Sequence, residues 1–259
     1  LIGFGRLSMA FPSVMGRILN HVEYADADVG DALGMWPEGQ AQVTGFAHTI
    51  FLNRGDHFES MPLPNETQWA PSLGLAVADA NGDGFDDIFL AQNFFATDED
   101  SPRYDSGRGL WLRGDGSGGM EVVPARESGV LAYGDQRGVS VADVDGDGRI
   151  DLAIGQNGAK TLLYRNVSAR PGLRVRLVGP RSNPYAIGAA VRVLYTSSKG
   201  PVREIRAGSG TGSHDDPVQV LGLSNEPLGL EVRWPGGRTE VVQLEQGQRF
   251  VTVESNRNE

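Results

Sequence analysis

A 20-residue stretch occurs twice in this chain, and it limits what the chain can fold into more than any other feature. Gly74 to Asn93 reads GLAVADANGDGFDDIFLAQN, and 64 residues later Gly138 to Asn157 reads GVSVADVDGDGRIDLAIGQN. Each copy runs from an alternating apolar segment, through Asp-x-Asp/Asn-Gly-Asp-Gly-x-x-Asp, into a second apolar segment that ends in Gln-Asn. A unit that returns at a fixed interval is the mark of a repeat architecture. Its acidic centre has the chemistry of a hard divalent cation site, with calcium as the expected ion.

The oxygen-bearing positions 1, 3, 5 and 9 of the first loop are Asp79, Asn81, Asp83 and Asp87; those of the second are Asp143, Asp145, Asp147 and Asp151. Side chains at 1, 3 and 5 converge when the chain curls around an ion, and the glycines at position 6, Gly84 and Gly148, permit the sharp turn. The backbone carbonyls at position 7, Phe85 and Arg149, are expected as further ligands, giving two calcium sites. An EF-hand opens the same way but closes with a glutamate at position 12 and is flanked by helices. Here position 12 is Leu90 or Ile154, inside an apolar run. A plain hairpin turn needs one Asp or Asn and one Gly, and leaves the other oxygens unexplained. The second loop has four carboxylates and the first three plus an amide, so the second is expected to bind calcium more tightly.

Around the loops the chain reads as strands and turns. Thr49–Phe58, Leu110–Met120 and Thr161–Asn166 each suggest a short strand running into a polar turn, so each repeat contains an inner strand, the loop, a second strand and a third. That is the content of a propeller blade. Residues Ala96–Gly109 form a polar insertion between the second and third strands of the first copy, expected to project from one rim. Upstream, Val14, Ile18, Leu19 and Val22 have helical spacing and predict a short helix near Ser13–Glu23. Asp26, Asp28 and Asp31 have the wrong spacing for a metal loop and read as a solvated turn.

Arg170-Pro171-Gly172 marks a boundary. Beyond it, seven segments alternate with period two: Leu173–Val178, Ala190–Tyr195, Val202–Ile205, Val218–Leu221, Leu228–Trp234, Thr239–Leu244 and Phe250–Val253. They are separated by turn residues and predict a small β-sandwich or barrel. The expected organisation is all-β: residues 1–168 carry two clear repeats and a degenerate N-terminal unit of a partial propeller, and residues 169–259 form the sandwich. The 36 glycines and 14 prolines suit a sheet protein rich in tight turns.

Net charge divides at the same boundary. Residues 169–259 carry 12 Arg/Lys and 9 Asp/Glu, a net of +3, which leaves −13 for residues 1–168. The overall −10 argues against a general nucleic-acid binder. The chain has no cysteine, which removes disulfides and thiol chemistry. No apolar run reaches the ~20 residues that span a membrane. Its start at Leu1 suggests processing or a longer parent polypeptide.

The loops, their flanking Val-Ala-Asp and the Leu-Tyr-Arg-Asn third strand resemble FG-GAP/VCBS repeats of integrin-α-type β-propellers. NPYAIGAAVRV (Asn183–Val193), REIRAGSG (Arg203–Gly210), SHDDPVQVLGL (Ser213–Leu223) and LEVRWPGG (Leu230–Gly237) resemble the ASPIC/UnbV domain, with departures from its pattern at Thr211 and His214. The resemblance covers roughly residues 49–250. It implies a secreted or cell-surface calcium-binding protein acting in adhesion, matrix or surface assembly, with the eight loop side chains as ligands and no catalytic residues. Its partner would be an extracellular protein, a glycan or a copy of itself. A calcium-dependent polysaccharide-binding or polysaccharide-degrading protein and a subunit of an extracellular fibre are the alternatives.

Other motifs have plainer readings. Arg54-Gly55-Asp56 and Arg113-Gly114-Asp115 fall where a hairpin turn is expected. Gly114–Gly119 resembles a serine-protease segment but has an extra glycine and no histidine nearby. Ala207–Gly212 does not open a helix, as a phosphate cradle would. His21, His48, His57 and His214 show no metal-site spacing. Asn65-Glu-Thr and Asn166-Val-Ser are glycosylation sequons, so Asn65 and Asn166 are candidate acceptors.

Overall fold

The computed structural model describes residues 4–34, 45–97, 99, 101–210 and 212–255. It divides into two compact units: Leu1–Ala47 with Ala96–Arg103, and His48–Phe95 with Tyr104–Glu259.

The smaller unit is helical. It contains α1 (Phe4–Ala10), a 3-10 turn (Pro12–Gly16), α2 (His21–Asp26) and α3 (Val29–Leu33). The single helix expected over Ser13–Glu23 is broken at 17–20, where Asn20 starts α2 by accepting from the amides of Val22 and Glu23. Val14 and Ile18 are buried with Ala32 against Phe4, Leu7, Tyr24 and Ala27. Leu19 and Val22 face outward, each 72% exposed. The acidic run is a capping box rather than a plain turn: Asp28 caps α3, and its own amide bonds the Asp31 carboxylate.

The larger unit is built of strands, as expected for the all-β class. A hairpin of β1 (Thr49–Asn53) and β2 (Phe58–Pro62) turns through Arg54-Gly55-Asp56, where Asn53 accepts from the Gly55 amide. An antiparallel meander follows, with β3 (Ser72–Ala78), β4 (Asp87–Gln92), β5 (Leu110–Gly114) and β6 (Met120–Val122) in that order. After a one-turn α4 (Ala125–Ser128) comes a second meander of β7 (Asp135–Ala142), β8 (Asp151–Asn157) and β9 (Leu162–Tyr164). Both repeats share an irregularity in the first strand, with register shifts at Ser72/Gly74 and at Gln136/Val139. The second Arg-Gly-Asp closes β5, and Asp115 organises the next turn by accepting from the Ser117 and Gly119 amides. Among the described residues neither meander closes into a barrel or ring.

The two meanders bury one core. Ala76, Ala78, Phe89, Ala91 and Trp111 of the first meet Val139, Val141, Leu152 and Ile154 of the second. Small residues on β3 allow close approach, and a side chain at Gly74 would run into the Arg137 carbonyl. The other face of the first meander holds Leu90, Leu110 and Leu112 against Leu63, Ile88, Met120 and Val122. Leu73, Leu75 and Val77 on β3 stay exposed.

All seven strands expected after residue 170 form, as β10 (Leu173–Val178), β11 (Ala190–Leu194), β12 (Arg203–Glu204), β13 (Gln219–Leu221), β14 (Gly229–Arg233), β15 (Thr239–Gln243) and β16 (Phe250–Glu254). They make two sheets ordered β13-β10-β16 and β12-β11-β14-β15. Leu173, Val175 and Leu177 point inward with Val191, Val193, Leu230, Val232, Val251 and Val253, as period-two alternation requires. Each such side chain contributes about 1.5–3 kcal/mol by burial. The pairing of β10 with β16 is parallel, with Val175 opposite Val251.

Candidate metal centres

Each acidic loop joins two strands that are paired up to its mouth, with Ala78 opposite Asp87 and Ala142 opposite Asp151. The position-1 carboxylates organise the loops in the same way. Asp79 Oδ1 accepts from the amides of Gly82 (2.7 Å) and Asp83 (3.0 Å), and Oδ2 accepts from Gly84 (2.7 Å). Asp143 repeats this with Gly146, Asp147 and Gly148 at 2.8, 3.0 and 2.8 Å. The position-9 carboxylates tie each loop to its third strand. Asp87 accepts from Ala80 and Gly114, and Asp151 from Val144 and Asn166. Gly84 and Gly148 have φ of 96° and 82°, the left-handed conformation the turn needs.

Asp79, Asp87, Asp143 and Asp151 are buried. Asp143, Asp145 and Asp151 bring carboxylate oxygens within 4.8 Å of one another and could together hold a metal ion. Asn81 and Asp83 are bonded to each other in the first loop, and Asp147 is turned toward Arg149. Among the described residues no donor bonds the backbone carbonyls of Phe85 or Arg149, so both are available as acceptors. The donors are all oxygen, mostly carboxylate, and fit a hard cation such as calcium.

The loops differ in what already balances their charge. In the second, Arg174 Nε of β10 lies 2.7 Å from Asp143 Oδ2, an ion pair not aligned as a hydrogen bond. Arg165 pairs with Asp145, and Arg149 holds Asp147 at 2.7 Å. Burial pushes the Asp147 carboxyl up, but the hydrogen bonds and charge of Arg149 outweigh it and hold it below the usual range. In the first loop Arg203 pairs with Asp86, outside the expected ligands. Among the described residues no cationic side chain pairs with Asp79. Burial, with Asp83 and Asp87 nearby, raises the Asp79 carboxyl to about 6 despite its bonds to backbone amides. Burial raises Asp87 as well.

Sequence reasoning missed the part the sandwich plays. Arg170 donates its amide to the Asn81 carbonyl at 3.3 Å, and Gly172 donates to the Gly148 carbonyl at 2.8 Å. Gly222 lies against Asp79: a Cβ there would sit 1.5 Å from Oδ2. Residues 213–216 run along β7, where Ser213 Oγ accepts from Val139 N and Asp215 Oδ1 from Val141 N, both at 2.9 Å. The His214 amide bonds Ser140 Oγ, while Thr211 lies outside the described residues.

A cleft of about 540 Å³ opens beside the loops, lined by residues that include Trp111, Arg113, Arg126, Tyr164 and Arg165. Of the sequons, Asn65 is exposed on a 3-10 turn. Asn166 is half-buried, and its Nδ2 donates to the carbonyls of Ala80 (2.7 Å) and Ile150 (3.2 Å), so a glycan there would disturb a strut between the repeats.

Two acidic loops mounted on paired strands and backed by a two-sheet sandwich are the class of arrangement present. Most of the sandwich has a family match: residues 179–259 match the family model described as ASPIC and UnbV. The chain is also similar to cartilage acidic protein 1. It is 34% identical to that of Xenopus tropicalis over 118 residues, 43% of this chain and 18% of that protein. Identity to the Mus musculus and Homo sapiens proteins is 38% over 105 residues, 38% of this chain and 16% of each. The match thus spans less than a fifth of the length of these curated relatives.

Proposed function

We propose that this is a secreted or surface-exposed calcium-binding protein, non-catalytic, acting in adhesion or matrix assembly. In this reading the two meanders are FG-GAP-type propeller blades, each with one calcium at its loop. The observation that carries it is the identical amide scaffold of the two loops, together with the convergence of Asp143, Asp145 and Asp151 within 4.8 Å. Calcium would neutralise clustered buried carboxylates and pin each loop against its third strand. Similarity to a protein named for cartilage supports an extracellular place. Among the described residues no helix is long and apolar enough to cross a membrane.

Calorimetry tests the reading. Two calcium ions should bind in the wild type and one in each of Asp79→Ala and Asp143→Ala, with affinity near the ~10⁻⁴–10⁻³ M of extracellular modules or tighter. Unchanged stoichiometry in both variants would sink it, as would a melting temperature indifferent to EDTA and calcium.

A glycan partner is favoured by the cleft, where Tyr164 offers a half-buried aromatic ring and Arg126 an exposed cation. A glycan array compared between wild type and Arg126→Ala tests this, and a reducing-end assay separates binding from cleavage. A protein partner, including a second copy in a fibre, is favoured by exposed Leu73, Leu75 and Val77 on β3. Mass measurement in solution with and without calcium reads that directly.

A further inference from the structure

The chain contains two candidate Asn-Gly pairs in its repeats, Asn81-Gly82 inside the first loop and Asn157-Gly158 at the end of β8. A glycine after asparagine leaves the next backbone nitrogen free to approach the side-chain carbon, because no Cβ stands in the way. We propose that Asn81 is a deamidation site gated by the first loop, and that its conversion to aspartate gives this loop the four-carboxylate set written into the second. The identity of the ion that closes the gate rests on the calcium reading above; the site itself does not.

The reaction needs only water. The Gly82 nitrogen bonds to Cγ of Asn81, the bond from Cγ to Nδ2 breaks, and the amide proton leaves with the departing ammonia, giving a succinimide. Water then opens the ring. Attack at Cγ returns the backbone intact with aspartate at 81. Attack at the main-chain carbonyl leaves Gly82 joined through Cγ as isoaspartate, one carbon longer in the backbone, and the loop's hydrogen-bond register is lost.

Both reacting groups are held in the folded loop. The Gly82 N–H donates to Asp79 Oδ1 at 2.7 Å. Asn81 Oδ1 accepts from the Asp83 amide at 2.9 Å, and its Nδ2 donates to Asp83 Oδ2 at 2.8 Å. Gly82 is buried against the Arg170 carbonyl, which would lie 2.2 Å from a Cβ. Ring closure therefore requires the bond to Asp79 to open. Asp79, Asp83 and Asp87 share this loop, and among the described residues Asp79 has no cationic partner. Their mutual repulsion loosens the metal-free loop, and a divalent cation tightens it. The second pair is less restrained: Asn157 and Gly158 are exposed and open space surrounds the Gly158 Cβ position, the side chain of Asn157 being held by one bond, from Nδ2 to Asp135 Oδ2 at 3.2 Å. It serves as an internal clock.

The test is peptide mass mapping of the full chain held at mildly alkaline pH in EDTA or in excess calcium. The Asn157 peptide should gain the mass of amide-to-acid conversion equally in both. The Asn81 peptide should gain it several-fold faster in EDTA than in calcium, and faster still in Asp79→Ala, which removes the acceptor that holds the Gly82 amide, at one rate in either. An Asn81 peptide that keeps its amide mass in EDTA while Asn157 converts overturns the proposal, as does equal conversion of Asn81 in EDTA and in calcium by a protein that binds calcium. Calorimetry on the same sample reads binding. If calcium does not bind, the calcium reading fails, and wild type against Asp79→Ala in EDTA still decides the gate, equal Asn81 rates in the two overturning it. Asn81→Asp, standing for the intact-backbone product, should bind calcium at the first loop several-fold tighter than wild type.

Discussion

Replacing Arg174 by methionine separates the protein's own counter-charge from a bound ion. The substitution keeps most of the aliphatic stem and removes the guanidinium, which lies 2.7 Å from Asp143 Oδ2 and over the Phe250 ring. The Asp143 side chain is 1% exposed and that of Arg174 28%, so the pair sits where removing one partner is costly. Breaking a buried pair destabilises by about 3–5 kcal/mol. The amides of Gly146, Asp147 and Gly148 remain on Asp143 and offset part of this, which places the expected cost at about 3 kcal/mol. At roughly 2–4 °C per kcal/mol for a chain of this size, melting in EDTA should fall by about 6–12 °C. In saturating calcium the ion takes over part of the neutralisation, so the deficit should shrink by the gain in calcium binding, to about 1.6 kcal/mol. Calcium affinity at the second loop should rise about tenfold, some 1.4 kcal/mol. Thermal melts of wild type and variant under both conditions, with calorimetry, measure each quantity. A deficit of equal size with and without calcium would refute the reasoning, because Arg174 and the ion would then not share the carboxylate.

Acidification should act on the metal-free first loop in an unusual direction. The Asp79 carboxyl is raised to about 6 in the fold from an ordinary 3.8, so the folded state holds a proton that the unfolded chain has lost. The stability this gives is fully present below about 4 and is lost as pH rises through about 6, on the order of 3 kcal/mol. Denaturant titrations in EDTA should show the trend in wild type, lessened in Asp79→Asn and in calcium; a trend unchanged in Asp79→Asn would reject it. Gly222→Ala should lower stability and weaken calcium at the first loop but not the second, since its methyl meets Asp79 Oδ2; equal weakening of both loops by calorimetry would contradict this. Asn166→Ala should cost about 1–3 kcal/mol in chemical denaturation, because the Ala80 and Ile150 carbonyls lose their donor; a neutral change would mean that water replaces the strut.

What was legible in the sequence was local. The seven sandwich strands follow from alternation such as that of Leu173 to Leu177, which needs no knowledge of the partner strand. The acidic loops are legible as loops because each oxygen-bearing position has a set offset from its own glycine. Arg174 and Gly222 are not, since each matters through a loop far away in sequence: Arg174 reads as an outward strand residue, and Gly222 stands only as one residue of the run Ser213–Leu223. The loop affinities were ranked from carboxylate number alone, and the structure adds three arginines on the second loop that an ion must compete with. The break between Gly16 and His21 is not legible because the spacing of Val14, Ile18, Leu19 and Val22 runs across Asn20, which is the cap that starts α2.

The segment 213–216 along β7 has a consequence for solubility. β7 has one neighbouring strand in its sheet, β8, so its other side would offer bare N–H and C=O groups to any passing strand. Ser213, Asp215 and Asp216 use those groups at Val139 and Val141, and the His214 backbone amide donates to the hydroxyl of the intervening Ser140. The sandwich therefore acts as a guard rail as well as a buttress. It closes to strand-by-strand growth the border at which a repeated β unit is most open to recruiting a stranger.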